Sequence, residues 1–554
     1  MIPVRHDGGL VLIGPAPGGV CVPCAEEARL AVFGPDVPRQ ARVDGLSTPA
    51  MTPLVDALIA RVRADPERYR RRVLAVRTDL AVVSEHRVRP RPEGCPVCGP
   101  LPVDSLETAE IGREPVPVEP GELRGANPKS LRLKEELEDL RHGPVVGVYT
   151  IGHLPLAVSS AELVSEHAIR EAGYGRTLDF ADAERVALYE SVERINAMKP
   201  RRTTTVLEAS FAELGPERAL DPERLGRYEP EHVAHLGFPL PPYTPDLRTR
   251  WVHGWSYTRE RAIAVPEHIA YFSTGPRFVA ETSNGCGLGN SLTEAVLHGL
   301  FEVAERDAFL MAWYAKTPLR RIRVPEDAVL PHLTDRLESL GYELQFFDAT
   351  NDLGIPAVLS LARYRGDDPD VPQAYFAAGA HPDPRRALLG AAAEVAVDVE
   401  STVDKEPGDP ARLRRMLNEP WLIRTMDDHV AVNGLPEAAS RYAFLTDSDL
   451  PGIDADDLAP APPAFDDLRD LLDFYVSSWD LEVIAVDQSD PVTAERLGLY
   501  SAKVLVPGTL PMTFGHLHRR TRGLPRLLEV PYALGRVKAP LRYEDLALQP
   551  HPFP

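Results

Sequence analysis

The apolar positions of this chain fall into short runs and helical stripes separated by proline- and glycine-rich breaks. Leu10 to Ile13 reads as a short strand, and Pro53 to Asp79 as a helix, a turn and an arginine-rich strand. A stretch rich in Pro, Glu and Gly follows (GREPVPVEPGELRGANP), then a short charged helix, SLRLKEELEDLRH. Val145 to Ile151 predicts the strand that opens a larger unit. Beyond it, helical patterns at Asp182–Met198, after Ser291 and at Pro384–Val397 alternate with strand candidates at Glu343–Phe347, Ala357–Ala362, Leu481–Val486 and Lys503–Val506. The fold class expected is α/β (α+β), with mixed sheets and helices. The expected division is a small α/β unit over residues 1–100, a linker over 101–142 and one large domain over 143–554.

Glu281 to Ala315 carries the strongest pattern. Asn284 to Asn290 (NGCGLGN) reads as a Gly/Asn loop, a backbone type that can bring N–H groups close to an anion. Ser291 and Glu294 then have the S-x-x-E spacing of a capping box. Glu294, His298, Glu302, Glu305 and Arg306 share one face of the helix this starts, and most of the remainder is Leu, Val, Ala and Phe. A helix so apolar elsewhere is expected to be buried. Carboxylates crowded on it would repel one another and lose solvation, which calls for a cation beyond Arg306. The competing reading is an acidic stripe facing water. A second copy favours the first reading: Glu190, Glu193 and Arg194 repeat the E-x-x-E-R spacing of Glu302, Glu305 and Arg306. Carboxylates at i and i+3 share a face. Two such pairs could clamp magnesium, which bridges carboxylates to phosphates.

Four of the five cysteines form two C-x-x-C pairs, Cys21/Cys24 and Cys95/Cys98. Two such knuckles make a tetrahedral zinc site of four thiolates if the fold brings them together. Cys286 has no histidine at a telling distance and reads as a packing residue. Asp427-Asp428-His429 has no further ligand of suitable spacing and reads as a hydrogen-bonding segment. The net charge of −21 argues against nucleic-acid partners and anionic membrane surfaces. No signal peptide or transmembrane run is read in the sequence, and a cytoplasmic location is expected. The 55 prolines sit in connectors, which fits a folded chain with stiff loops. The terminal PHPFP favours polyproline II, and a frayed tail is its alternative.

The segments SNGCGLGNSLTEAVLHGLFEVAERDA and ALYESVERINA resemble the central motif and the upstream E-x-x-E-R helix of the YcaO family. DATNDLGIPAV from Asp348, HPDPRRALLGAAAE from His381, VLVPG from Val504 and the terminal PHPFP extend the resemblance. The resemblance implies a YcaO fold and an ATP- and magnesium-dependent cyclodehydratase. Such an enzyme phosphorylates a peptide amide oxygen, and Cys, Ser or Thr side chains of a ribosomally made precursor then close into azoline rings. By the same resemblance Glu190, Glu193, Glu302 and Glu305 hold magnesium, and Asn290, Glu294 and Arg306 contact ATP. The Pro554 carboxylate becomes the candidate catalytic group. The N-terminal cysteine region is similar to a shortened E1-like domain, with zinc as its metal.

The implied partners are the precursor peptide, a separate leader-peptide-recognition protein of the E1-like/ocin-ThiF type, a flavin dehydrogenase and a second copy in a homodimer. Thioamide or amidine formation is the enzymatic alternative, and a non-catalytic scaffold is the other. The sequence departs from the family pattern at Tyr174, Val186, Val397 and Val399, which favours the scaffold; the retained carboxylates oppose it.

Overall fold

The computed structural model describes residues 1–553 apart from 8, 34–50, 78–79, 81, 113, 153, 155, 165–170, 273, 326–328, 404–408 and 460–461. At the N-terminus the strands Val4–Asp7, Leu10–Ile13, Arg72–Arg77 and Val82–Arg87 form one antiparallel sheet in that order. Its two faces follow from strand alternation. Val11, Ile13, Leu74 and Val76 pack with Leu58 and Val62 of the helix Thr52–Ala64. Leu12, Val73 and Ala75 face the other way, against Cys24 and Cys95.

Three sheet–helix units build the larger body. In the first, Val145–Ile151, Ala157–Leu163 and Glu171–Thr177 pair antiparallel, and the helix Phe180–Met198 follows. In the second, the strands run Arg261–Pro266, Thr249–Ser256, Ile484–Asp487, Tyr500–Leu505 and Cys286–Gly289, with Leu207–Ala209 as a branch. The helix Leu292–Ala315 packs on its last strand. In the third, Tyr342–Asp348, Ala357–Tyr364 and Ala374–Ala380 precede the helix Pro384–Val403.

Each unit solves the same packing problem with glycine. A Cβ on Gly175 would lie 1.9 Å from the Ala183 carbonyl, one on Gly287 2.2 Å from the Ala295 carbonyl, and one on Gly379 2.4 Å from the Ala387 carbonyl. Only a residue without Cβ lets the strand backbone approach its helix so closely.

This corrects the reading of Asn284–Asn290 as a loop. Cys286–Gly289 is a buried strand paired with Tyr500–Leu505, and its glycines serve helix packing rather than an anion cradle. Tyr174, one of the departures from the family pattern, lies within the strand Glu171–Thr177. The predicted charged helix is also shorter, with α-helix only over Leu133–Leu137. Asp139 accepts the Arg141 and His142 backbone N–H groups, at 2.9 and 3.0 Å, in place of continued helix.

Candidate functional site

The helices Phe180–Met198 and Leu292–Ala315 present their carboxylates to one another. Glu190 accepts the Tyr174 backbone N–H at 2.5 Å and is paired with Arg194 at 2.6 Å. Arg306 pairs with Glu302 and donates to the Asn284 side chain. Among the described residues, neither Glu193 nor Glu305 has an ion-pair partner. Burial, followed by the negative charges of Glu302 and Glu190, pushes Glu193 up to about 8. Burial, followed by the Glu394 charge, pushes Glu305 up to about 8 as well, although it accepts the Ala380 N–H at 2.8 Å. Burial also raises Glu302 despite the neighbouring Arg306, and one of its oxygens, Oε2, is buried with no hydrogen-bond partner. These groups are short of positive charge, so the donor set fits a hard divalent cation with oxygen ligands.

Glu294 lies two turns before Glu302, roughly 12 Å at the helical rise. Ser291 caps the helix as expected, its hydroxyl oxygen accepting the Glu294 N–H at 3.1 Å. The Glu294 side chain does not complete the capping box. It turns to Arg124 at 3.4 Å and to the Gly125 N–H at 3.3 Å, and burial pushes it up to about 7. Asn290 donates to the Gly125 carbonyl at 2.6 Å and accepts from Asn127 at 3.0 Å. His298, beside Arg124, is held down to about 3, first by burial and then by the charges of Arg124 and His381. The Pro/Glu/Gly-rich stretch therefore lies against the first turn of the helix and supplies Arg124 and Asn127 to it.

Behind the carboxylates sits a buried charged group that the sequence did not reveal. Glu281 lies between Arg520 at 3.0 Å and Lys503 at 3.5 Å, and also accepts from Asn284 at 3.0 Å. Although burial opposes its ionisation, Lys503 and Arg520 hold Glu281 below the usual carboxylate range. Through Asn284 this group orients Arg306. Glu394, on the helix Pro384–Val403, is a further missed carboxylate; Arg176 approaches it at 3.8 Å. The sequence signal for Glu394 is its place at the end of HPDPRRALLGAAAE, one of the segments that carry the family resemblance. Of the departures from the family pattern, Tyr174 and Val186 are exposed, whereas Val397 and Val399 are buried in the core.

The C-terminal segment is docked along the same central helix. The Ala547 N–H donates to the Tyr314 carbonyl at 2.9 Å, and Trp313 Nε1 donates to the Gln549 carbonyl at 3.1 Å. The Phe553 ring stacks on Phe309, one turn beyond Glu305, with centroids 3.8 Å apart. The Arg306 charge reaches His551, adding to the burial that lowers it. Pro554 lies outside the described residues.

The two C-x-x-C pairs meet. Cys21 Sγ lies 3.4 Å from Cys95 Sγ and 3.7 Å from Cys98 Sγ, and Cys24 Sγ lies 3.5 Å from Cys98 Sγ. A tetrahedral zinc with ~2.3 Å bonds sets its sulfurs about 3.8 Å apart, so the four thiols fit such an ion. Backbone N–H groups of Cys24, Arg91 and Cys98 point at the sulfurs, at 3.5, 3.2 and 3.4 Å. A second group, His86, Asp139 and His142, also converges. Its carboxylate is already taken by the Arg87, Arg141 and His142 backbone N–H groups and by His86. Cys286 is buried, and burial pushes its thiol up to about 12, as suits a packing residue.

The family model described as YcaO cyclodehydratase, ATP- and Mg2+-binding, matches residues 174–510, more than half of the chain. An uncharacterised protein in the tfuA 3' region of Rhizobium leguminosarum bv. trifolii is 30% identical over 269 residues, covering 45% of this chain and 60% of that protein. An uncharacterised protein of Methanothermobacter thermautotrophicus is 26% identical over 293 residues, covering 49% and 70%. The chain thus spans less than two thirds of the first of these relatives. Among solved structures, a heterocyclase in complex with substrate and cofactor superposes on all of this chain and 77% of its own, with a TM-score of 0.76 and 20% identity. The heterocyclase TruD gives a TM-score of 0.68 at 22% identity, over all of this chain and 75% of its own. At these identities the likeness is one of fold. Taken with the paired carboxylate helices, the family match settles the assignment: this chain belongs to the YcaO family.

Proposed function

We propose that this chain is an ATP- and magnesium-dependent cyclodehydratase acting on Cys, Ser or Thr residues of a ribosomally made precursor peptide. Glu190, Glu193, Glu302 and Glu305 hold magnesium, and Asn290, Glu294 and Arg306 contact the nucleotide. ATP supplies the phosphoryl group that turns a peptide amide oxygen into a leaving group. The chain's own residues position and compensate. Arg306, oriented by Asn284, offers a fixed guanidinium beside Glu302. The Pro554 carboxylate serves as general base to the attacking side chain. Zinc in the four-cysteine cluster has a structural role, as a closed site of four thiolates does. A heterocyclase with substrate bound is a structural neighbour, in keeping with a peptide substrate here. A leader-recognition protein and a flavin dehydrogenase are the proposed partners.

The observation that carries this reading is the set of half-buried carboxylates, of which Glu193 and Glu305 have no ion-pair partner among the described residues. Groups so perturbed by burial and by one another's charge are a signature of a functional site. The test uses a precursor peptide whose backbone amide oxygen is isotopically labelled, incubated with the protein, ATP and magnesium. Loss of one water per ring with the label recovered in phosphate is expected. Label released in water, or ATP turnover without any mass change in the peptide, would refute the proposal.

A further inference from the structure

The C-terminal segment has few ways to be held. Proline lacks a backbone N–H, so Pro550 and Pro552 offer only carbonyls. The carbonyls of Pro550 and His551 find their donors on the helix Met426–Asn433. Thr425 and Asp428 cap this helix reciprocally, and Arg412 steadies Asp428 at 2.6 Å. One turn in, the buried His429 uses both ring nitrogens. Nδ1 donates to the His551 carbonyl at 2.8 Å, and Nε2 accepts the Gly515 N–H at 2.9 Å. These two partners assign a single neutral tautomer. The ring lies against the His551 ring at 4.3 Å and edge-on to Phe514 at 6.0 Å. Asn433, one further turn along, donates to the Pro550 and His551 carbonyls at 3.3 Å, and Arg441 fixes its other end at 3.1 Å.

We propose that His429, with Asn433 beside it, is a positioning residue that sets the register of the C-terminal segment against the carboxylate helix. This rests on the reading that the segment serves the reaction at that helix. His551 is gripped at both ends, since its Nε2 also donates to the Thr513 carbonyl at 2.9 Å. From that anchor the stiff tail runs two residues to the Phe553–Phe309 stack. With proline at 552 fixing φ, a held carbonyl at His551 keeps Phe553 in register with Phe309. Burial holds His429 down to about 4, so the ring stays neutral, with one donor and one acceptor, through ordinary working pH. Asp427-Asp428-His429, a segment that resembles a metal motif, is on this account a clasp.

Two variants separate positioning from general structure. In His429→Asn the amide nitrogen can take the place of Nδ1 and keep the donor to His551. In His429→Gln the amide can reach the Gly515 end but cannot supply that donor. The tail is followed directly by fluorine resonance of 4-fluorophenylalanine placed at position 553 in the full chain, and ring formation is measured on the precursor peptide. The stacked resonance is expected in the unsubstituted chain and in His429→Asn, and a solvent-exposed one in His429→Gln. The ring-forming kcat should fall about tenfold in His429→Gln and stay within about threefold in His429→Asn, with KM for ATP unchanged in both. A stacked resonance in His429→Gln, or equal release in the two variants, overturns the clasp. If His429→Gln frees the tail and ring formation continues at full rate, the clasp stands and the catalytic role of the tail fails.

Discussion

Magnesium–nucleotide binding should release protons, and the number follows from the structure. Glu193 and Glu305 are both pushed up to about 8. At pH 7 a carboxyl titrating at about 8 is ~90% protonated, so two of them release close to two protons when a metal takes their oxygens. Affinity for magnesium should then rise about tenfold per pH unit for each proton released, or roughly a hundredfold between pH 6 and 7. Above pH 9 the release should nearly vanish. The same shifts set the stability of the metal-free chain. Its folded state holds these protons more tightly than the unfolded chain, whose carboxyls titrate near 4.5. Stability is therefore fully present below about 4.5 and declines as pH rises through about 8, and bound magnesium restores it. The assay is calorimetric titration with a non-hydrolysable ATP analogue and magnesium, in buffers of different ionisation enthalpy. The Glu302→Gln variant should fold normally and lose magnesium-dependent binding. Heats independent of the buffer at pH 7, or unchanged nucleotide affinity in Glu302→Gln, would refute the reasoning.

Three further outcomes follow from single features. Protein purified without added metal should carry one zinc per chain, lost in a Cys95→Ser/Cys98→Ser variant along with stability of the N-terminal sheet; elemental analysis and thermal denaturation measure both. Deleting Phe553 and Pro554 should cut ring formation much more than ATP affinity, because it withdraws the end of the chain by about 6 Å while leaving the helices intact; equal ring formation in the truncated chain would show the tail to be dispensable. Gly287→Ala should destabilise the fold by about 1–3 kcal/mol, since its Cβ meets the Ala295 carbonyl rather than a flexible side chain, and denaturant unfolding reads this out.

The carboxylate helices were legible because their chemistry is local. E-x-x-E-R at i and i+3 puts both acids on one face whatever the fold around them, and the helix Phe180–Met198 confirms the predicted span closely. The cysteine pairs were legible for the same reason, although only the fold could bring together sulfurs 74 residues apart in sequence. What the sequence hid depends on contacts between distant segments. Cys286–Gly289 lacks the alternating apolar pattern of a strand, and its glycines answer to the backbone of the helix that follows. Lys503, Glu281 and Arg520 look like unrelated surface charges until the strand Tyr500–Leu505 pairs beside Cys286. Arg124 belongs to a stretch whose composition suggests a tether, yet it reaches Glu294 at 3.4 Å. The charged helix after it is short because its acids are drawn elsewhere: Glu136 is buried among Arg71, Arg87, Arg132 and Arg496. Among the described residues no helix is long and apolar enough to cross a membrane, as the hydropathy pattern anticipates.

In the proposed site the two carboxylate helices share a metal between them. Manganese substitutes for magnesium at oxygen sites and scatters X-rays anomalously, so crystals grown with manganese and a non-hydrolysable ATP analogue locate the ions directly. Anomalous peaks within coordination distance of Glu190, Glu193, Glu302 and Glu305, bridged to the analogue's phosphates, are the predicted result. Peaks at other carboxylates, or a bound analogue with no manganese between the two helices, would contradict it.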